Sequence, residues 1–509
     1  MTAQALLATG ASRARELTWD TIQWSRAKAH VRQLQIRIAQ AYREGKPGKV
    51  KALQWILTHS FSAKLLAVKR VTENRGGKTP GVDKVVWRSA KQKMNAATTL
   101  KRRGYQPQPL RRIYIPKKQA GKLRPLSIPA MQCRAQQALY LLALEPITET
   151  MADKNAYGFR PHRSTADAIE RCFKVLARRN SAQYILEGDI QSCFDTISHS
   201  WLLKNIPMDK AMLGKWLKAG YMKEGSLFPT NCGTPQGGLI SPSLLTITLC
   251  GLESKLQSIV SKREKVHLCT YADDFIITGI TPELLTKTVR PMVESFLEER
   301  GLVLSPTKTR ITHIDEGFDF LGVNIRKYKG KLLCRPSKEN LKAILQSIRT
   351  TIRSNATAKT ENLIHLLNPK VRGWGNYHSH ICAKQAFAKV DSKVFDALWR
   401  WAKRRHPNKG AGWIQRKYFR NAGNRRWVFF AIIKDTKGKK KYLDLIEAKK
   451  IPIKRHIKIQ AEANPYNPDY TKYFSERLAR SKGKARQMLL YKQHSMVYIN
   501  GYESQNHDE

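Results

Sequence analysis

Val266-His-Leu-Cys-Thr-Tyr-Ala-Asp-Asp-Phe-Ile-Ile-Thr278 is the stretch that decides the fold. Short apolar, β-branched and aromatic runs flank a turn that carries two adjacent acids, the pattern of a β-hairpin. An Asp pair in a turn is ordinarily just a solvated turn, but so apolar a hairpin is an odd place for one. Upstream, Gln183-Tyr-Ile-Leu-Glu-Gly-Asp189 reads as another strand, and it too ends in an acid. Carboxylates brought together repel one another and hold their protons unless cations lie between them. Mg²⁺ takes a few carboxylates plus substrate phosphates, and a pair of ions can stabilise both oxygens of an in-line phosphoryl displacement. Asp189, Asp273 and Asp274 therefore point to polymerase or nuclease chemistry.

The surrounding charge agrees. Among 509 residues, 92 Lys and Arg face 39 Asp and Glu, a formal net charge of +53. Self-repulsion on that scale calls for a polyanion, most commonly nucleic acid. From Lys84 to Leu144 there are 14 Lys/Arg and no acid, and from Arg335 to Glu509 there are 38 against 13. No apolar run approaches the ~20 residues needed to span a bilayer, and the first residues lack the layout of a secretory signal. A cytoplasmic protein without a membrane partner is expected. The eight cysteines form no CxxC pair, so reduced core thiols are expected rather than a zinc ribbon.

Outward from the acidic hairpin, residues 20–70 show apolar positions at helical spacing. Arg112–Pro116 and Leu126–Pro129 read as strands around a basic turn, and Gln132–Thr150 as a helix. A short helix capped by Ser198 is expected up to Ile206. A longer one is expected from Pro282 to Arg300, stopped by Gly301. Phe318-Asp-Phe-Leu-Gly-Val-Asn-Ile325 reads as one strand. Beyond about residue 335 the chain turns helical and basic, and 426–450 mixes short β runs with a Lys437-Gly-Lys-Lys-Lys441 turn. Strands and helices mixed in this way define an α+β protein.

Tyr271-Ala-Asp-Asp274 resembles the active-site box of reverse transcriptases, and further matches fall in that family's order. They are Gly-Val-Asp83, Ile-Pro-Lys117, Arg-Pro-Leu126, Tyr157-Gly-Phe-Arg-Pro161, Asp189 to Phe194, Gly233 to Pro242, Gly301 to Thr309 and Phe320-Leu-Gly322. Arg372-Gly-Trp-Gly-Asn-Tyr-His378 and Asn464-Pro-Tyr-Asn-Pro-Asp469 are similar to segments of bacterial group II intron-encoded reverse transcriptase/maturases. The resemblance implies a right-hand polymerase, fingers and an antiparallel palm over 61–334, after an N-terminal helical extension (1–60). A helical thumb/maturase domain (335–425) and a basic DNA-binding region with a polar tail (426–509) would follow.

It also implies roles. Asp189, Asp273 and Asp274 would hold two Mg²⁺ ions. Lys117 and Arg124 would grip the dNTP triphosphate, with Phe194 beneath the sugar and Gln236 at the nucleotide. Tyr271 and Gly322 would touch primer and template. Arg372, Trp374, Asn376, Tyr377 and His378 would meet intron RNA, and Lys439, Lys440, Lys441, Lys454 and Arg455 target DNA. The expected activity is that of an RNA-directed DNA polymerase and splicing maturase working as a ribonucleoprotein with group II intron RNA. The oligomeric state stays open. The alternatives are a maturase without polymerase activity and a host-adopted, defence- or CRISPR-linked enzyme. Many bacterial relatives end in an HNH nuclease with paired cysteines. Here the last cysteine is Cys382, so no such nuclease is expected.

Overall fold

The computed structural model describes residues 18–116, 123–423, 425–434 and 438–485; Lys117 and Lys437 lie outside them. The first helices are α1 (Trp24–Arg43), α2 (Pro47–His59), α3 (Phe61–Thr72) and α4 (Ala90–Thr99). In α1, Val31, Leu34, Ile38 and Ala41 recur on one stripe and are buried, the spacing of a helix with one face to a core. Ser89 starts α4: its hydroxyl accepts from the Gln92 amide at 3.2 Å while the Gln92 side chain accepts from the Ser89 N–H at 3.0 Å, a reciprocal cap. These helices share a core with one side of α5 (Met131–Met151), where Met131, Ala135, Leu139 and Ile147 sit. The other side of α5, with Tyr140 and Leu144, faces a second core.

Between α4 and α5 runs the hairpin β1 (Leu110–Pro116) and β2 (Leu123–Ile128), paired antiparallel from Arg111↔Ile128 to Pro116↔Leu123. After α6 (Thr165–Leu176) comes β3 (Tyr184–Asp189). A small hairpin, β4 (Tyr221–Lys223) and β5 (Ser226–Phe228), joins β1 through β4. It turns on Glu224 and Gly225, both at positive φ. Three-residue strands are too short for a periodicity reading to find.

The central sheet holds β6 (Leu268–Tyr271), β7 (Asp274–Gly279) and β8 (Arg310–His313) with β3, in the order β6-β7-β3-β8, every pair antiparallel. Both faces are covered. Leu186, Leu268, Phe275 and Ile277 point into the core shared with α5. Ile185, Cys269 and Ile276 point into the core beyond, as the two-residue period of a strand requires. That far core extends over β9 (Phe318–Phe320), β10 (Val323–Tyr328) and β11 (Lys331–Pro336), the helices Lys338–Ser354, Thr360–Tyr377 and Lys384–Arg405, and on to Ala463.

Three sequence expectations need correction. Phe318–Ile325 is not one strand: β9 and β10 form a hairpin, with Leu321 and Gly322 both at positive φ. A leucine in that conformation gives no turn signal in the sequence. The helix expected over Pro282–Arg300 contains a wide turn at Leu285–Val289, before Pro291, which has no N–H to give. Finally, β12 (Phe419–Ala422) and β13 (Arg425–Lys434) pair across the 425/426 boundary, with β14 (Lys440–Asp444) beyond. Among the described residues no helix is long and apolar enough to cross a membrane.

Candidate active site

Pairing along β3 and β7 runs from Tyr184↔Gly279 to Asp189↔Asp274, so these two acids end adjacent strands directly opposite one another. Tyr271↔Asp274 closes β6 onto β7 around a two-residue turn, Ala272 and Asp273. The three acids are thereby gathered at one end of the sheet. Ala272 has φ +58, a costly state for a residue with a Cβ. The loop before α6 holds the turn in place. A Cβ on Gly158 would lie 2.9 Å from the Ala272 Cα and nearer still to its nitrogen, so only glycine lets the loop backbone sit there. Gly158 of the Tyr157–Pro161 motif is thus a support for the turn. Likewise Gly188 leaves room for the Phe275 ring.

Electrostatics match this crowding. Burial, then Asp273 and Asp189, push the Asp274 carboxyl up to about 7, with Lys308 opposing. Asp273 is also raised, by burial and by Asp189, with Arg124 and Lys308 pulling it back. The Lys308 ammonium lies 2.9 Å from an Asp189 carboxylate oxygen. It arrives there because the loop after Gly301 clips onto β3: the Ser305 amide donates to the Asp189 carbonyl at 2.7 Å. A lysine already stands where cationic charge is wanted, among carboxylates that resist ionising together, and this donor set fits hard divalent cations. As placed, no three acid, His or Cys side chains among the described residues enclose a single point.

Two outcomes follow. Lys308→Ala removes the cation that lowers both Asp273 and Asp274, so the acidic limb of the activity profile should move to higher pH. A pH–rate series measures it, and an unmoved limb would contradict the arrangement. In metal-free protein the raised Asp274 makes its ionised form unfavourable in the fold. This penalty is absent below the ordinary carboxylate value and complete above about 7. Asp274→Asn should therefore raise Tm in chelator by roughly 1–3 °C at about pH 8 and by nothing at about pH 4.

Around the acids, Arg124 on β2 lies within electrostatic reach of Asp273; Lys117 is outside the described residues. The Gln236 carbonyl accepts from the Ser127 amide at 2.7 Å, and its side-chain amide donates to Asp195 at 3.3 Å. Gly237, at φ +115, passes so close to β2 that a Cβ would meet the Ser127 oxygen at 2.5 Å. Phe194 is half-buried, its ring edge-on to Phe159 at 6.1 Å. Of Arg124, Phe194 and Gln236, Arg124 acts on the acids directly, while Gln236 reaches Asp195 and Phe194 packs on Phe159. Lys308 and Asp195, which the sequence reading does not single out, belong to the same neighbourhood. The charge of Lys308 inside a family-like motif is the signal that could have singled it out. Tyr271 packs against the far core.

The residues expected to meet RNA divide. Trp374 and His378 are buried, and both bond the Asn340 side-chain oxygen, at 2.6 and 3.0 Å. Burial pushes His378 down to about 3, with His380 adding repulsion, so it is a neutral packing residue. Against the RNA contact expected of these two, His378 presents no surface and Trp374 only 8% of its own. Arg372 and Tyr377 are exposed. The Tyr377 hydroxyl donates to the Leu321 carbonyl at 2.9 Å, tying this helix to the turn that carries Gly322. Lys439, Lys440, Lys441, Lys454 and Arg455 are exposed, far along the chain from the acids, and Arg455 also pairs with Glu170 at 3.2 Å.

An antiparallel sheet with acids on adjacent strand ends, bordered by cations and a glycine-rich turn, is the layout of a template-directed nucleotidyl transferase. Comparison with known proteins agrees. Residues 115–325 match the model for reverse transcriptase (RNA-dependent DNA polymerase), 19–100 that for the N-terminal domain of reverse transcriptase, and 341–419 that for the group II intron maturase-specific domain. The chain is 33% identical to protein YkfC of Escherichia coli over 308 residues, 51% of this chain and 79% of that protein. It is 28% identical to the group II intron-encoded protein LtrA of Lactococcus lactis over 356 residues, 56% of this chain and 59% of LtrA. The telomerase of Candida albicans is a slight structural likeness (TM-score 0.37, 10% identity, 61% of this chain and 64% of that one) on which nothing rests. The chain belongs to the group II intron reverse transcriptase/maturase family.

Proposed function

We infer that this chain copies group II intron RNA into DNA and assists that intron's splicing and reverse splicing. The observation that carries the reading is the Asp189–Asp274 pairing with Asp273 in the adjoining turn. In the reaction the primer 3′-oxygen attacks the α-phosphorus of a dNTP and pyrophosphate leaves in line. Asp189, Asp273 and Asp274 would hold two Mg²⁺ ions, which when bound supply charge neutralisation on the phosphates. The protein's own part is positioning. Arg124, with Lys117, offers the triphosphate a fork of donors and a point charge. The Phe194 ring would exclude a ribose 2′-hydroxyl, and the Gln236 amide would reach the nucleotide. The acid-bearing sheet with the β1–β2 hairpin acts as palm and fingers, and the helices after Pro336 as thumb and maturase surface. Tyr271 and Gly322 would touch primer and template.

Intron RNA would be held by the exposed cations of this region, Arg372 among them, and target DNA by Lys439 to Lys441 and Lys454. Copurification tests the partner: protein isolated without nuclease should carry one specific folded intron RNA and promote its splicing. Recovery of only heterogeneous RNA, with no effect on splicing, would contradict it.

A further inference from the structure

Strand β13 carries one residue too many. Arg420 pairs with Val428 and Ala422 with Arg425, so Asn421 alone faces both Arg426 and Trp427. Such a bulge re-aims a side chain. Trp427 sits in it at φ +59, a backbone state disfavoured for any residue with a Cβ and worse for a bulky one. The strained residue is also a large aromatic left 44% exposed.

Its ring completes a cluster. Trp427 and Trp399 lie 5.5 Å apart at 36°, with Phe395 6.1 Å and Phe419 6.2 Å from Trp427, and Phe395 stacks on Trp399 at 21°. An exposed ring backed by three others is a rigid platform. The chemistry of what lands on it is set by charge. Between Lys393 and Trp427 there are 11 Lys/Arg and one acid, Asp396; Lys393 takes that acid at 3.0 Å, and Asp444 and Glu447 take Arg420 and Arg425 at 2.8 and 3.3 Å, which leaves the stretch basic. Arg426, next to Trp427, is exposed. Flat π-surface among cations suits an unpaired base and its phosphate.

We propose that Trp427, presented by the β12–β13 bulge and backed by Trp399, Phe395 and Phe419, is a stacking site for one unpaired base of a single strand. The site deepens the nucleic-acid-binding reading above and rests on it. It lies outside the acid centre and needs no catalytic step.

Binding of short unstructured RNA and DNA oligonucleotides to the full chain tests it. Trp427→Leu keeps a large apolar group but no ring, and should weaken single-strand binding about 5- to 100-fold. Trp427→Tyr should stay within about threefold. The salt dependence should keep its slope, because no phosphate contact is lost, and duplex binding should not change. Loss on both strands, or on one alone, supports the site and identifies its strand. As a readout free of substitution, wild-type protein irradiated with a 5-iodouridine oligonucleotide should form an adduct at Trp427. Equal single-strand binding by wild type and Trp427→Leu, or an adduct map without Trp427, would overturn the proposal and leave a protein partner as the reading of the patch. A wild type that binds neither strand would instead overturn the broader nucleic-acid reading.

Discussion

Asp274→Asn is expected to cut DNA synthesis on a primed RNA template by about 10³-fold or more, with RNA binding no weaker than that of wild type. The size follows from what the acids are asked to do. Charge neutralisation at a transferring phosphoryl group contributes several kcal/mol, and about 4 kcal/mol is about a thousandfold in rate. Asp274 faces Asp189 across the β3–β7 pair and shares the site with Asp273, so removing one charge leaves a donor set too poor to hold a pair of ions. Asp273→Ala should behave alike. RNA affinity survives because removing a negative charge from a basic protein cannot weaken its grip on phosphate. Single-turnover extension beside filter binding separates the two. Equal extension by wild type and both variants would mean the chemistry lies elsewhere.

The largest stability effect is expected away from the acids. Glu149 is about 1% exposed and accepts from Arg160 at 3.0 and 3.1 Å and from Arg163 at 3.3 Å. Arg160 also donates to the carbonyls of Asp153 and Ala156 at 2.8 and 2.9 Å, bracing the loop whose Gly158 supports the Ala272 turn. Burial, then the neighbouring Arg160, already push Arg163 down to about 10. Glu149→Ala would leave two guanidinium groups buried without a carboxylate, and breaking such a cluster costs about 3–5 kcal/mol. Thermal unfolding should show a fall of about 3–5 °C. Glu149→Gln, which keeps an acceptor oxygen, should lose less. An unchanged Tm for the alanine variant would show that the cluster holds nothing together.

Much of the fold and of the acid centre is legible in the sequence, for identifiable reasons. The strand ending in Asp189 and the hairpin around Ala272 and Asp273 are legible because a short apolar run closed by an acid is long enough for a strand and too short for a helix. The helices α1 to α3 and α5 follow from apolar spacing, and Ser198 does cap its helix, accepting from the Trp201 amide at 3.2 Å. What escapes is whatever depends on distant packing. The β9–β10 turn puts Leu321 in a conformation its side chain does not advertise. Lys308 reaches Asp189 only through the clip at Ser305. Trp374 and His378 look like surface chemistry in a basic motif, yet their partner Asn340 lies on another helix. Trp427 is aimed by a bulge created by pairing, which no local pattern carries.

Counting cations at the acids tests the central claim most directly. With a primed RNA template and a non-hydrolysable dNTP analogue in place, Mn²⁺ titrated into the protein and followed by electron paramagnetic resonance should report about two tightly bound ions per chain. Asp273→Ala and Asp274→Asn should each lose at least one of them. An identical count in wild type and both variants would contradict the assignment of Asp189, Asp273 and Asp274 as the cation site.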